Sequence, residues 1–305
     1  MKLIKSLLIF LPLLIIAACN NSSTPSGGKK KIVVTTGMVG DAVKNLVGDL
    51  ADVEVLMGPG VDPHLYKASQ GDMEKLSNAD IIVYSGHHLE GKMTEVFEKM
   101  RRNKPVIPLA ELVHENRYQR AQEGSNLIDP HIWMDIKSWS TGISNLRSDL
   151  IDLFPNDSAK IESNHEQYQK ELIKTDYQIE LLMGSIPANQ KVIITSHDAF
   201  RYFGLNYGIE VKGLQGISTV SEYGLRDVSD MVNFIVSRKI KAVFVESSVS
   251  DKSLQAVIEG CAQKGHQVVI GGKLYSDALG AEGTPEGTYC GMLLHNARTI
   301  QKALK

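Results

Sequence analysis

The chain has 305 residues, length for about two domains and enough to bury a sizeable core. Its 43% hydrophobic and 22% charged residues exclude wholesale disorder and collagen-like or coiled-coil rods. Thirty-three basic against 35 acidic side chains give a net charge of −2 and no nucleic-acid footprint, and 6% aromatics argue against a stacking platform for sugars or bases.

Residues 1–19 read MKLIKSLLIFLPLLIIAAC, two lysines and then an apolar run from Leu7 to Ala18 interrupted by Pro12. As a helix that run would span about 18 Å, short of the ~30 Å hydrocarbon core of a bilayer. It reads as a signal peptide over residues 1–18 rather than a membrane anchor, and its loss takes the net charge to about −4. Ile16-Ala17-Ala18-Cys19 resembles the lipobox of bacterial lipoproteins, which implies that Cys19 carries a lipid and becomes the mature N-terminus. The Asn, Ser, Gly and Lys residues that follow can bury no face, so 19–31 reads as a flexible tether on the extracytoplasmic side of a bacterial membrane. Cys261 and Cys290 show neither CxxC spacing nor a dense framework and read as two separate thiols, although the compartment permits a bridge.

From Ile32 onward, short β-branched runs alternate with helical stretches. Ile32–Thr36, Val53–Met57, Ile81–Tyr84 and Val106–Leu109 read as strands, with helices over Met38–Leu46, Gln70–Ser77 and Glu90–Met100. A second set comprises strands Val192–Thr195, Ala242–Val245 and Gln267–Ile270 and helices Val228–Ser237, Ser253–Ala262 and Gly291–Ala303. Both halves therefore predict an α/β lobe, a parallel sheet flanked by helices, over 32–157 and 185–305. Between them, 158–184 predicts one long helix, capped by Asp157 or Ser158 and stopped by Gly184 and Pro187. Its apolar positions are sparse, which suits a rigid bridge between lobes better than a core element.

The tripeptide Asp-Pro-His occurs twice, at Asp62-Pro63-His64 and Asp129-Pro130-His131. Proline fixes φ and holds the preceding residue extended, so each histidine follows a stiff corner and each corner does a similar backbone job. His197 follows the strand beginning at Val192, and Asp277 lies in the loop seven residues beyond Ile270. Ligands of open parallel sheets bind outside the carboxyl ends of the strands. Two candidates from each half would meet in a cleft, where three imidazoles and a carboxylate form a four-residue divalent-metal site.

GVDPHLYKASQGD, DPHIWMD, TSHDAFRYFG, GLQGISTVSE, VFVESS and GGKLYSDALG, in this order, resemble the motifs of the metal-binding lipoproteins of bacterial ABC transporters, the cluster A-I or TroA-like family. The resemblance runs from about Ile32 to the C-terminus. It implies two α/β lobes joined by one long helix, one Zn²⁺ or Mn²⁺ per chain held between them, and delivery of that ion to a membrane permease with its ATPase. Carried over by motif, the ligands are His64, His131, His197 and Asp277, with a monomeric protein and no nucleic-acid partner. His88, with His87, follows the third strand and reads as a cleft-wall residue standing behind the ligands. Glu246, at the end of Ala242–Val245, reads as a group that orients a ligating histidine. His114, His165, His266 and His295 read as structural.

Zinc-type members often carry a His- and acid-rich loop before the second ligand, whereas 111–129 contains only His114 here. Many manganese- or iron-type members place glutamate where this chain has His197, so the resemblance leaves Zn²⁺, Mn²⁺ and Fe²⁺ open. Two other functions compete: a surface adhesin with incidental metal binding, and a zinc hydrolase. Four protein ligands leave little room for a catalytic water, and no HExxH pattern occurs, which counts against the hydrolase.

Overall fold

The computed structural model describes residues 28–121 and 125–305. The expected leader, Cys19 and most of the 19–31 tether lie outside the described residues. No helix among the described residues is long and apolar enough to cross a membrane.

The first half runs β1 (Lys30–Val34), α1 (Gly37–Val47), β2 (Ala51–Val55), α2 (Gln70–Asn78), β3 (Ile81–Tyr84), α3 (Thr94–Met100) and β4 (Val106–Pro108). All four strands pair in parallel in the order β2-β1-β3-β4. β1 and β3 occupy the middle because Ile32, Val33, Val34, Ile81, Ile82 and Val83 are buried on both faces, as a sheet covered by helices requires. Helix starts follow local chemistry. Thr36 caps α1, and Ser69 and Asp72 form a reciprocal capping box at α2.

Two helices then cross the molecule. α4 (Ile136–Leu153) had no counterpart in the sequence reading. Its Ser, Thr and Gly content weakens the helical signal, while burial of Ile136, Trp139, Ile143, Leu146 and Leu150 at steps of three and four holds it. α5 (Ser158–Gly184) ends at Gly184 as expected, but Asp157 makes no side-chain cap; a short 3₁₀ turn, Pro155–Asp157, leads in instead. Nor is α5 a poor core element. Ile161, His165, Tyr168, Leu172, Thr175, Ile179 and Met183 form one buried stripe at steps of three and four. Its polar members, His165 bonded to Ser144 and Tyr168 bonded to Asp41, hide that stripe from a hydropathy reading.

The second half runs β5 (Val192–His197), α6 (Arg201–Tyr207), β6 (Glu210–Gln215), α7 (Leu225–Arg238), β7 (Ala242–Glu246), α8 (Lys252–Gln263), β8 (Val269–Leu274) and α9 (Tyr289–Leu304). β5 pairs with β6 and β7 with β8, both in parallel, and β5 lies beside β7. The second half thus holds two two-stranded parallel sheets side by side, β6-β5 and β7-β8, rather than one continuous ladder. β6 escapes a sequence reading because it is partly exposed and contains Gly213, where a Cβ would collide with the backbone of Asp198. β8 extends past Ile270 to Leu274, so Asp277 lies three residues beyond its strand rather than seven. Gly271 and Gly272 read as a loop but serve close packing: a Cβ on Gly271 would lie 2.7 Å from Ala303 of α9.

The largest apolar cluster is continuous across both halves. It runs from Ile32 and Val34 through Trp133, Trp139 and the α5 stripe to Phe200, Tyr202, Tyr289 and Leu293. Cys261 and Cys290 are separate, buried and unbridged.

Candidate metal centre

Each of the four expected residues stands at the carboxyl end of a strand or on the loop that follows one. His64 lies between β2 and α2, and His131 stands just before the 3₁₀ turn Ile132–Met134 that leads to α4. His197 is the last residue of β5, and Asp277 follows β8. The two Asp-Pro-His corners do the same backbone job, as their repetition predicted. Asp62 Oδ1 accepts the backbone N–H of His64 at 2.9 Å, and Asp129 Oδ1 accepts that of His131 at 3.0 Å.

The fold brings the four side chains together. One ligand atom from each lies within 4.8 Å of the others, and all four residues are buried. Asp277 is the hub: its carboxylate oxygens lie 3.1 Å from His197 Nε2, 3.5 Å from His131 Nε2 and 3.9 Å from His64 Nε2. The three Nε2 atoms and both oxygens of Asp277 are buried and make no hydrogen bond within the protein. Buried polar atoms are nearly always paired, so five orphans converging on one point are the chemical signature of a cation site. The imidazole and carboxylate donors suit a borderline divalent metal.

The far sides of two imidazoles are held by carboxylates. Asp129 Oδ1 lies 2.6 Å from His131 Nδ1. Glu246 Oε2 lies 2.6 Å from His197 Nδ1, and its Oε1 accepts the His197 backbone N–H at 2.9 Å. Such partners favour the tautomer with its lone pair on Nε2. The side-chain role of Asp129 was missed in the sequence, where its motif was read only for its backbone; the need of a buried His131 for a partner was the available signal.

The electrostatics divide the histidines. Burial holds His64 neutral, lowering its pKa to about 3 despite the pull of Asp277. Burial also disfavours charge on His197, but Asp277 and Glu246 together outweigh it and raise its pKa well above the ordinary imidazole value. Burial likewise works against the charge of Asp277, and the surrounding histidines, His197 foremost, overcome it and keep that carboxyl ionised.

His88 stands apart from the four. It is exposed on a surface cleft lined also by His87, Glu111, Glu115 and Tyr118, and its side chain makes no hydrogen bond to any of them. Three other histidines have local partners: His165 meets Ser144 and Gln169, His266 meets the Ile240 carbonyl, and His295 meets Glu286.

A family model for ZnuA, the periplasmic component A of the zinc-uptake complex, matches residues 32–303. The chain belongs to this family. Among relatives, the manganese-binding lipoprotein MntA of Bacillus subtilis (strain 168) is 49% identical over 271 residues, 89% of this chain and 88% of that protein. The zinc-binding protein TroA of Treponema pallidum (strain Nichols) is 44% identical over 270 residues, 88% of this chain and 87% of that protein. The solved structure of the periplasmic zinc binding protein TroA from Treponema pallidum superposes with a TM-score of 0.88 at 45% identity, covering 91% of this chain and 99% of that one. The ZnuA family is one of metal-uptake components and not of enzymes, which removes the hydrolase reading.

Proposed function

We propose that this protein captures one divalent transition-metal ion, Mn²⁺ or Zn²⁺, outside the cytoplasm and hands it to an ABC-type permease driven by its ATPase. The observation that carries the reading is the set of five orphaned donor atoms of His64, His131, His197 and Asp277, buried and converging. A zinc ion bonded at about 2.0–2.1 Å in a tetrahedron needs ligand atoms roughly 3.4 Å apart. The separations of 3.1, 3.5 and 3.9 Å around Asp277 bracket that figure, in a set whose four ligand atoms all lie within 4.8 Å of one another. Relatives named for manganese and for zinc both support a divalent cargo. The protein acts as a monomer, with lobes 32–157 and 185–305 on the linking segment 158–184. It is held at the extracytoplasmic face by a lipid on Cys19.

Zn²⁺ outranks Mn²⁺ for almost any nitrogen and oxygen site, so affinity alone does not identify the cargo. The deciding experiment is elemental analysis of protein purified without added metal, followed by Mn/Zn/Fe competition. One ion per chain is the expected result, and a protein that takes up none of the three refutes the reading.

Two further outcomes are expected. Loading should raise the melting temperature, because an ion bound only by the folded chain stabilises it by about 4 kcal/mol at a free concentration a thousand times its dissociation constant. Scanning calorimetry with and without a chelator checks this, and coincident transitions would count against the site. Glu246→Gln should weaken binding about 10- to 100-fold by loosening His197, measured by competition with a chromogenic chelator.

A further inference from the structure

The two faces of the centre are tied across the lobes very differently. On the His131 face, hydrogen bonds between the lobes are concentrated on residues 119–135. Trp133 Nε1 donates to the Ser276 carbonyl at 2.9 Å, next to Asp277, and Tyr289 Oη donates to the Trp133 carbonyl at 2.7 Å. Tyr202 Oη donates to the Asp129 carbonyl at 3.0 Å and accepts the Gln119 N–H at 2.9 Å. Arg201 reaches the Arg120 and Ala121 carbonyls, and Asn206 reaches Asp135. Trp133, Tyr202 and Tyr289 are also embedded in the apolar cluster that crosses the lobes. Prising the lobes apart here would break these bonds and expose that core together, so His131, His197 and Asp277 form one rigid tripod.

The His64 face has a single such tie among the described residues. Thr219 Oγ1, on the loop between β6 and α7, donates to Asp62 Oδ2 at 2.6 Å across 157 residues of sequence. The other oxygen of Asp62 holds the His64 backbone N–H. One carboxylate therefore clasps the second lobe with one oxygen and a ligand's own backbone with the other. His64 also stands furthest from the second lobe's pair of ligands, although its ring lies 5.4 Å from that of His131. Its Nε2 is the furthest of the three from Asp277, and its ring lies 5.9 Å from that of His197 against 5.3 Å between His131 and His197. Gly58 and Gly60 precede it on an exposed corner, with Gly60 at φ +74°.

We infer that the Asp62–Thr219 hydrogen bond is the latch that sets how fast the bound ion leaves: release proceeds by the His64 arm swinging off a fixed tripod, not by the lobes parting. Thr219 touches no ligand; it positions His64 through Asp62. Breaking the latch should raise the off-rate and leave the on-rate nearly unchanged, because the tripod still receives the ion.

This inference rests on the metal-capture reading, and the experiment separates the two. Full-length wild type, Thr219→Val and Thr219→Ser are loaded with Zn²⁺ and mixed with excess chelator in a stopped-flow instrument. Thr219→Val keeps the shape of the side chain and removes the donor, and Thr219→Ser keeps the donor. A hydrogen bond to a carboxylate is worth enough that Thr219→Val should release zinc at least about tenfold faster. Thr219→Ser should release at nearly the wild-type rate, and all three proteins should take up zinc at similar association rates. Wild-type release from Thr219→Val overturns the latch, and so does Thr219→Ser as fast as Thr219→Val. An association rate for Thr219→Val lowered about as much as its release is raised would make the contact merely structural and overturn it equally. A wild-type chain that takes up no zinc refutes metal capture itself.

Discussion

Asp277→Ala should weaken metal binding by a factor of about 10²–10⁴, the equivalent of removing one partner from a buried charge pair. Asp277 is the one anion among the four residues, and both its oxygens are buried and face imidazole nitrogens. Without it a doubly charged ion would sit among neutral donors in a low-dielectric pocket, and Coulomb attraction there is many times stronger than in water. His165→Ala is the matched control. His165 is also a buried histidine, but it belongs to the α5 stripe and bonds Ser144 and Gln169. Its loss should leave metal affinity unchanged. Isothermal titration of the three chains decides the matter, and an Asp277→Ala protein with wild-type affinity would remove that residue from the centre.

The second large effect is on pH. An imidazole must be unprotonated at Nε2 to donate to a metal, so protons compete with the ion. With three ordinary histidines, binding of the ion would displace up to three protons once pH lies below about 6.5. The environments here break that equivalence. Burial keeps His64 neutral down to about 3, so it contributes no competing proton between pH 8 and 5. In the metal-free protein the carboxylates of Asp277 and Glu246 hold a proton on His197 well above the usual imidazole range, and the ion must displace it. Affinity therefore falls as pH falls, beginning above the ordinary imidazole range. The same shifts act on folding of the metal-free chain with opposite signs. The raised His197 adds stability that is full below about 6.5, its unfolded value, and fades as pH rises through the folded one. The lowered His64 adds stability that is present above about 6.5 and fades as pH falls toward 3. Calorimetric binding in buffers of different ionisation enthalpy counts the released protons. Release should already be measurable at pH 8 and stay below three per ion at pH 5; no release at pH 8, or three protons at pH 5, would contradict the electrostatics.

Much of the centre was legible because its information is local. Two Asp-Pro-His corners, a histidine ending a β-branched run and an aspartate after another point to strand ends without any coordinates, and the fold places all four together. Central strands such as Ile81–Tyr84 were legible for the same reason, being apolar on both faces. What stayed hidden is what depends on partners distant in sequence. β6 is an edge strand whose glycine exists for Asp198, and β8 hides two glycines that exist for α9. The polar residues of the α5 stripe look like surface until Ser144 and Asp41 meet them. Thr219 carries no local signal at all, since its partner lies 157 residues away. Asp129 was visible as a residue but not as the group beside His131 Nδ1.

Anomalous diffraction from crystals of the metal-loaded protein, collected on either side of the absorption edge of the bound element, tests the central claim most directly. One strong peak per chain is expected, bonded to Nε2 of His64, His131 and His197 and to the Asp277 carboxylate, with Asp129 and Glu246 still on the far sides of their imidazoles. A loaded crystal whose peak lies elsewhere, or whose ion leaves any of these four side chains uncoordinated, would contradict it.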